Sequence, residues 1–255
     1  MSFLKKFFSS SAQKEIEAEP IDMSLVLVDM HSHLIPGIDD GAKDMEDSIQ
    51  LIQKLIEFGY RHIITTPHIY KELYPNTKEI ILNGKEAVVA ELKRRNIEVC
   101  FEAAAEYFLD EHFMELIEKQ EILTWGGNHV LFELSFDSEP YYFKNATFQL
   151  QLNGYQPVLA HPERYLYWHE RFSNYENVAE KDVMLQLNIN SLTGQYGPMV
   201  KKMSEKLIDA GLVSFLGTDT HHQGHVNLWN TARKNAHLRK LVESGNLKNP
   251  EIFNH

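Results

Sequence analysis

Two pairs of side chains in this 255-residue sequence have the types and spacing of metal ligands. His31 and His33 follow a short apolar run, and Asp219 and His221 repeat that spacing near the other end of the chain. Side chains two residues apart on a β-strand point to the same face, so each pair can contact one ion. Imidazole and carboxylate donors without thiolate favour Mn, Fe, Zn or Mg over softer metals.

Five further side chains of the same two kinds follow other apolar runs, namely Asp40, His68, Glu106, Glu133 and His161. Nine candidate ligands exceed what one tetrahedral ion can use, which predicts a cluster of two or three divalent metals. Such a cluster would carry more positive charge than its carboxylates neutralise and would attract a phosphate dianion. Taken singly, Glu133 also fits an ion pair at a strand end, and Asp40 fits a turn. Nine structural roles together are disfavoured, because burying so many ionisable groups without a metal is costly.

Arg164 follows His161 by three positions and is the candidate phosphate ligand. A guanidinium can donate two parallel hydrogen bonds to phosphate oxygens. The alternative is a surface ion pair with a neighbouring acid such as Glu163. We predict that Arg164, Asp219 and His221 take part in catalysis. Aromatic groups at 107–108, 141–143 and 165–168 either line a substrate pocket or pack over its rim.

Seven short apolar runs must position these side chains, at residues 25–29, 62–66, 97–101, 130–134, 157–160, 183–189 and 213–216. Amphipathic stretches alternate with them at 49–56, 80–92, 113–117, 200–208 and 228–241. Strands that alternate with helices predict an α/β fold with parallel strands and right-handed crossovers. Seven such units favour a closed or nearly closed barrel, and the carboxyl ends of its strands would bring the candidate ligands to one face.

The composition excludes several other classes of protein. A hydrophobic fraction of 43% and a charged fraction of 24% are typical of a globular protein, and a net charge of −11 argues against nucleic acid as a partner. The single cysteine, Cys100, excludes an internal disulfide and fits a reducing, cytoplasmic compartment. A cysteine-based phosphatase would need an arginine six residues later, where Glu106 stands. Because Cys100 lies between Val99 and Phe101, we expect it to be a small buried hydrophobe.

The chain divides into a flexible N-terminal tail, residues 1–22, and a single domain, residues 23–255. The tail contains no apolar stretch of signal-peptide length. Its phenylalanines and its Lys5-Lys6 pair allow at most peripheral contact with a membrane.

Six ordered motifs carry a resemblance to a known family. They are HSHLIPGIDDG at 31–41, TPH at 66–68, AEY at 105–107, FEL at 132–134, HPERY at 161–165 and GTDTH at 217–221. Together they resemble the PHP (polymerase and histidinol phosphatase) superfamily, and within it the CpsB/CapC-type tyrosine phosphatases of bacterial capsule and exopolysaccharide loci. The similarity extends from about Val26 to about Arg239.

The resemblance implies a distorted (β/α)7 TIM-like barrel, the PHP fold, with three divalent metals, most often Mn. The implied first metal site is His31, His33, Glu106 and Asp219. The second shares Glu106 and adds Glu133 and His161, and the third is Asp40, His68 and His221. Arg164 matches the arginine that the family places on the phosphate. Relatives often carry another arginine in the loop after His221, whereas residues 222–227 contain none, and His222 and His225 are the candidates to replace it.

The implied reaction is hydrolysis of phosphotyrosine by attack of a metal-bridging hydroxide. The implied substrate is the tail of a bacterial tyrosine kinase that controls capsule or exopolysaccharide synthesis, which places the enzyme in the cytoplasm near the inner membrane. One alternative is a small-molecule phosphoesterase on the same metals, such as histidinol-phosphate phosphatase. The others are a non-catalytic metal-binding regulatory module and a metal-dependent amide hydrolase.

Overall fold

The computed structural model describes residues 19–252, in which short parallel strands alternate with helices. The strands are β1 (Val28–Asp29), β2 (His62–Thr65), β3 (His68–Ile69), β4 (Cys100–Ala103), β5 (Glu106–Phe108), β6 (His129–Glu133), β7 (Gln156–Ala160), β8 (Met184–Asn188) and β9 (Val213–Gly217). The helices are α1 (Met45–Phe58), α2 (Lys78–Arg94), α3 (Glu111–Lys119), α4 (Phe143–Leu152), α5 (Ser173–Ala179), α6 (Pro198–Asp209), α7 (Gln223–Val226), α8 (Trp229–Ala232), α9 (Ala236–Glu243) and α10 (Asn249–Ile252). None of these helices is both long and apolar enough to cross a bilayer.

The strands occupy seven positions that follow the order of the chain. One sheet has the order β1-β2-β4 and the other the order β3-β5-β6-β7-β8-β9, with every pairing parallel. Because β3 continues β2 after two residues, and β5 continues β4 in the same way, the two sheets share their second and third positions. The α/β class with parallel strands is therefore confirmed, and the order fits the predicted distorted (β/α)7 barrel, with its sheet interrupted at 66–67 and 104–105.

Backbone hydrogen bonds connect the first strand position to the last. The amide of Asp219 donates to the carbonyl of His31 at 2.8 Å, and the amide of His33 donates to the carbonyl of Thr220 at 2.9 Å. A parallel bridge also pairs Ser32 with Thr220. These bonds place the two candidate ligand pairs side by side, although they are almost two hundred residues apart in sequence.

Helix α1 shows how the sequence determines the start, the buried face and the end of a helix that packs outside the strands. The Asp44 side chain caps its first turn by accepting a hydrogen bond from the amide of Asp47, and Ile52 and Leu55 are buried beneath it. Gly59 ends the helix with φ of +128°, a conformation that L side chains rarely adopt. A Cβ at Gly59 would also lie 2.6 Å from the amide nitrogen of Ser24.

Three expectations from the sequence differ from the structure. The predicted strand at 97–101 is displaced, since β4 begins at Cys100. The predicted helix at 228–241 is two helices, because the Asn235 side chain accepts hydrogen bonds from the amides that begin α9. Cys100 is exposed rather than buried, because the alternation along β4 turns Phe101 into the core and Cys100 outward.

The predicted tail lies mostly outside the described residues. Of residues 1–22, the structure describes only 19–22. Ile21 is buried there, and its amide donates a hydrogen bond to the carbonyl of Arg233 at 3.0 Å.

Candidate metal centre

The nine residues predicted as metal ligands lie together at the carboxyl ends of the strands. His31 and His33 follow β1, Asp40 lies in the loop between β1 and α1, and Asp219 and His221 follow β9. His68 and Glu106 begin the short strands β3 and β5, while Glu133 ends β6 and His161 follows β7. Their ligand atoms form four overlapping groups, each within 4.8 Å, which are His31/His33/Asp219, His31/Glu106/His161, His68/Glu106/Glu133 and His33/Asp40/His68/His221.

Glu106 lies at the middle of this arrangement and contacts four imidazoles. Its Oε2 is 3.1 Å from Nε2 of His31, 3.3 Å from Nε2 of His33 and 3.3 Å from Nδ1 of His68. Its Oε1 is 3.0 Å from Nε2 of His161. A carboxylate in this position can bridge two ions, as the resemblance implies for Glu106.

Asp219 and Asp40 connect the remaining histidines. Oδ1 of Asp219 lies 3.4 Å from Nε2 of His31 and 3.4 Å from Nδ1 of His221. Oδ1 of Asp40 lies 3.4 Å from Nε2 of His221 and 3.5 Å from Nε2 of His68.

Glu133 lies between the last two implied sites. Its Oε1 is 3.3 Å from Nδ1 of His68, and its Oε2 is 3.8 Å from Nε2 of His161. It can therefore join either the second site, with His161, or the third, with His68.

These distances test whether divalent ions fit. Metal bonds of about 2.1 Å separate neighbouring ligand atoms by about 3.0 Å in octahedral and about 3.4 Å in tetrahedral coordination. Most of the separations between the nitrogen and oxygen atoms of this cluster fall in that interval, so its residues fit a metal cluster.

The charges of the cluster are strongly coupled. Burial lowers the pKa of His31, but the carboxylates of Glu106 and Asp219 outweigh it and raise that pKa to about 9. Burial likewise opposes ionisation of Glu106 and Asp219, yet the surrounding histidines hold the pKa of both carboxyls well below the usual range. Without metal, His31, His33 and His68, whose pKa values are all raised, act as counter-charges of the carboxylates. A metal must displace their protons in order to bind.

A second layer of polar side chains orients two of the imidazoles. Nδ1 of His31 donates to Oε1 of Gln186 at 2.8 Å, and Nδ1 of His33 donates to Oδ2 of Asp39 at 2.8 Å. Asp39 also accepts from the amide of His68 at 3.1 Å. Each Nε2 is thereby left to face the cluster, which is the usual arrangement around a metal-binding histidine. We did not predict either acceptor as a site residue.

Arg164 points toward the cluster rather than to the surface. Its Nη1 is 3.4 Å from Oδ2 of Asp219, and its guanidinium lies 4.5 Å from the ring centroids of both Phe136 and Tyr196. The alternative partner, Glu163, is buried, and its Oε1 accepts from the Ser191 hydroxyl at 2.6 Å instead. The two aromatic faces hold a flat cation in place beside the candidate ligands.

Backbone conformations that are unusual for non-glycine residues occur at two ligand positions. His161 has φ of +33° and Asp219 has φ of +49°. Such conformations persist where the surrounding structure imposes them, and they concentrate at functional sites. Gly41 shows a related constraint, since a Cβ there would lie 2.1 Å from the carbonyl oxygen of His33.

A cavity of about 430 Å³ opens over the cluster. Besides the candidate ligands and Arg164, it is lined by the apolar and aromatic side chains of Tyr70, Leu73, Tyr74, Phe108, Phe136 and Tyr196. Among the aromatic groups singled out in the sequence, only Phe108 lines it. Tyr107 and Tyr165 are buried in the core, and Tyr141 is 96% exposed.

His222 and His225, the candidates to replace a loop arginine, also line this cavity. Burial lowers the pKa of His225 to about 4, so this side chain is neutral at pH 7. Its Nδ1 lies 2.9 Å from the carbonyl oxygen of Asp219. A neutral His225 does not supply the positive charge of an arginine.

The fold and this site together define a parallel α/β protein with histidines and carboxylates gathered at the carboxyl ends of its strands. The family described as "Capsular polysaccharide synthesis, CpsB/CapC" matches residues 27–234. The chain belongs to this family, which confirms the resemblance seen in the six motifs.

Named relatives support the assignment. The chain is 31% identical over 197 residues to the tyrosine-protein phosphatase YwqE of Bacillus subtilis, covering 77% of this chain and 78% of that protein. It is similar to a solved structure from work on YwqE of Bacillus subtilis and CpsB of Streptococcus pneumoniae, described as metal-dependent tyrosine phosphatases. That match has a TM-score of 0.77 and 29% identity over 88% of this chain and 90% of the other. Histidinol phosphate phosphatase of Lactococcus lactis shares the fold, with a TM-score of 0.52 and 15% identity over 86% and 93% of the two chains.

Proposed function

We propose that this protein is a metal-dependent protein-tyrosine phosphatase. The observation that carries the proposal is the gathering of nine nitrogen and oxygen donors beside one stacked arginine, in a chain whose relatives bear that activity in their names. The charge of such a centre suits a phosphate dianion, which requires cationic partners. The cavity above it suits the rest of the substrate.

The ligand assignment that we propose follows the geometry described above. His31, His33, Glu106 and Asp219 would hold the first metal. Glu106, Glu133 and His161 would hold the second, and Asp40, His68 and His221 the third. The bound ions would supply an activated water at neutral pH and neutralise charge on the phosphoryl group. We propose Mn as the metal, and Fe, Zn or Mg would use the same donors.

Arg164 would contact the phosphate directly, and the side chains around it would hold it in position. Arg164 is placed to donate to phosphoryl oxygens, and its stacking between Phe136 and Tyr196 limits the loss of side-chain freedom on binding. The side-chain Nδ2 of Asn188 donates to Oδ2 of Asp219 at 2.6 Å, which leaves Oδ1 of Asp219 toward the histidines. We place Asp219 and His221 with Arg164 at the reacting phosphate.

The cavity favours an aromatic leaving group. Tyr70, Tyr74 and Phe136 offer ring surfaces against which the phenyl ring of phosphotyrosine can pack. A tyrosine oxygen has a pKa of about 10 and therefore leaves with less help from a general acid than an alkyl oxygen would need.

The physiological substrate that we propose is a phosphotyrosine protein of capsule or exopolysaccharide synthesis, namely the tail of a bacterial tyrosine kinase. The family description, which refers to capsular polysaccharide synthesis, supports this choice. The enzyme would then act in the cytoplasm near the inner membrane, where residues 1–22 would make at most peripheral contact with lipid.

The test compares phosphate release from a phosphotyrosyl peptide and from histidinol phosphate by the Mn-loaded protein. We expect a strong preference for the peptide, and loss of that activity in Arg164→Ala. Arg171→Ala is the matched control, because Arg171 is exposed and does not line the cavity. Preference for histidinol phosphate would overturn the substrate assignment. Inertness of the metal-loaded protein toward both would favour a non-catalytic metal-binding module.

A further inference from the structure

A second cluster of metal-ligating side chains lies at the opposite ends of the strands. His62 begins β2, and Cys100 and Glu102 lie on the adjacent strand β4, whose Cys100 pairs in register with His62. Cys100 and Glu102 are two residues apart, so they project from the same face of the strand. One ligand atom from each of the three residues lies within 4.8 Å of the other two.

The distances in this cluster match those of a zinc site. Nε2 of His62 is 3.3 Å from Oε1 of Glu102, and Sγ of Cys100 is 3.9 Å from the same oxygen. Tetrahedral zinc, with bonds of about 2.0 Å to nitrogen and oxygen and about 2.3 Å to sulfur, separates such atoms by about 3.3 and about 3.5 Å. Two of the three separations are therefore within about 0.4 Å of those expected around zinc, and the ligand atoms of His62 and Cys100 lie within 4.8 Å of each other.

We propose that His62, Cys100 and Glu102 form a zinc site that is separate from the metal centre formed by the nine candidate ligands, called here the barrel-rim centre. The sulfur donor distinguishes the two, because thiolate selects zinc over manganese, whereas nitrogen and oxygen donors alone do not. The His62 ring is buried, while Glu102 is about half exposed, so a water molecule can occupy the fourth position. A bound ion would cross-link β2 to β4 without taking part in the proposed phosphatase reaction.

The protonation states of Glu102 and Cys100 affect binding at this site. The hydrogen bond from His62 lowers the pKa of Glu102, so this ligand is ionised at neutral pH. Burial and the adjacent Glu102 raise the pKa of Cys100. Zinc must therefore displace the thiol proton to solvent, and affinity at this site should rise with pH.

Cobalt absorption tests the site directly. Cys100 is the only cysteine in the 255 residues, so a near-ultraviolet thiolate-to-cobalt charge-transfer band can come from no other site in the monomer. The full-length protein is titrated with Co²⁺ under a non-thiol reductant, alongside Cys100→Ser, Glu102→Gln and the control Glu98→Gln. Glu98 is an exposed carboxylate that precedes β4 and is outside the cluster.

We expect the band in the wild type and in Glu98→Gln, its loss in Cys100→Ser, and a cobalt affinity at least roughly tenfold lower in Glu102→Gln. Zn²⁺ in excess over all the proposed metal sites should abolish the band. Absence of the band in the wild type, or an unchanged band in Glu102→Gln, would overturn the proposal, since the latter would mean that the thiolate binds cobalt without the cluster. Because the readout is spectroscopic, its outcome is independent of phosphatase activity.

Discussion

Loading the barrel-rim centre with metal should release protons, and His31 should supply one of them. With a pKa of about 9 in the metal-free protein, His31 is about 99% protonated at pH 7. Only the neutral imidazole coordinates a metal. One proton is therefore displaced from His31 at pH 7, and this step alone makes metal affinity about fiftyfold weaker at pH 7 than at pH 9, where His31 is half neutral.

Titration calorimetry measures that release. Mn²⁺ is titrated into chelator-stripped protein at pH 7 in two buffers with different enthalpies of ionisation, and the difference in heat gives the number of protons released. His31→Gln should release about one proton fewer than the wild type, because glutamine has no proton to lose. If the heat of Mn²⁺ binding to the wild type is the same in both buffers, no proton is released and the prediction is wrong.

The same pKa makes the stability of the metal-free protein depend on pH. A histidine whose folded pKa is raised from 6.5 to about 9 contributes stability that is fully present below pH 6.5 and is lost as the pH rises through 9. The contribution is about 3 kcal/mol. We expect the free energy of unfolding of the chelated protein, measured by urea denaturation, to fall over this interval, and His31→Gln to fall less.

Three substitutions test other parts of the site. Arg164→Ala should reduce turnover of a phosphotyrosyl peptide by about 10²–10³-fold, because the variant loses a donor that stabilises charge on the phosphoryl group. Its metal content, measured by elemental analysis, should equal that of the wild type. Asp39→Ala should lower Mn affinity by about 10–100-fold in competition with a chelator, because His33 loses the acceptor that orients it. Gly41→Ala should lower the free energy of unfolding by about 1–3 kcal/mol in urea, because its Cβ would overlap the His33 carbonyl.

Each of these predictions has an outcome that contradicts it. Loss of metal from Arg164→Ala would make the arginine a structural support of the cluster. Asp137→Ala is the control for Asp39→Ala, because it removes an exposed carboxylate outside the cavity. An equal loss of Mn affinity in the two variants would mean that net charge, and not the orientation of His33, governs binding. If the urea unfolding curve of Gly41→Ala matches that of the wild type, the loop accommodates the added Cβ without loss of stability.

The sequence predicted the seven strand positions, but it missed helices α4 and α5 and was less accurate where local signals compete. The apolar runs identified each strand position, because parallel strands buried on both faces are continuously apolar. The displacement of β4 arose because the apolar residues Ile97 and Val99 precede the strand. The break between α8 and α9 depends on one capping side chain, Asn235, inside a run that otherwise keeps helical spacing.

The candidate ligands could be predicted because chemistry restricts them to imidazole and carboxylate at strand ends. The structure brings all nine together, and their binding of metal stays a prediction. The residues that orient the histidines were harder to predict. The acceptor for the ring nitrogen that faces away from the cluster can come from any part of the chain, so it follows no fixed spacing in the sequence. Gln186 did carry a signal, as a polar residue within the apolar run of β8, and Asp39 precedes Asp40 in the first motif. Cys100 was wrongly expected to be buried, because apolar neighbours do not determine which way a strand residue points.

The most direct test of metal dependence measures metal content and phosphotyrosyl-peptide hydrolysis on the same purified protein, before chelation, after it, and after Mn²⁺ is restored. We expect up to three divalent ions at the barrel-rim centre, loss of activity when they are removed, and recovery when Mn²⁺ is returned. A further ion at the His62 cluster is distinguished by its loss in Cys100→Ser. Hydrolysis that continues in fully stripped protein would show that the nine residues do not act through bound metal.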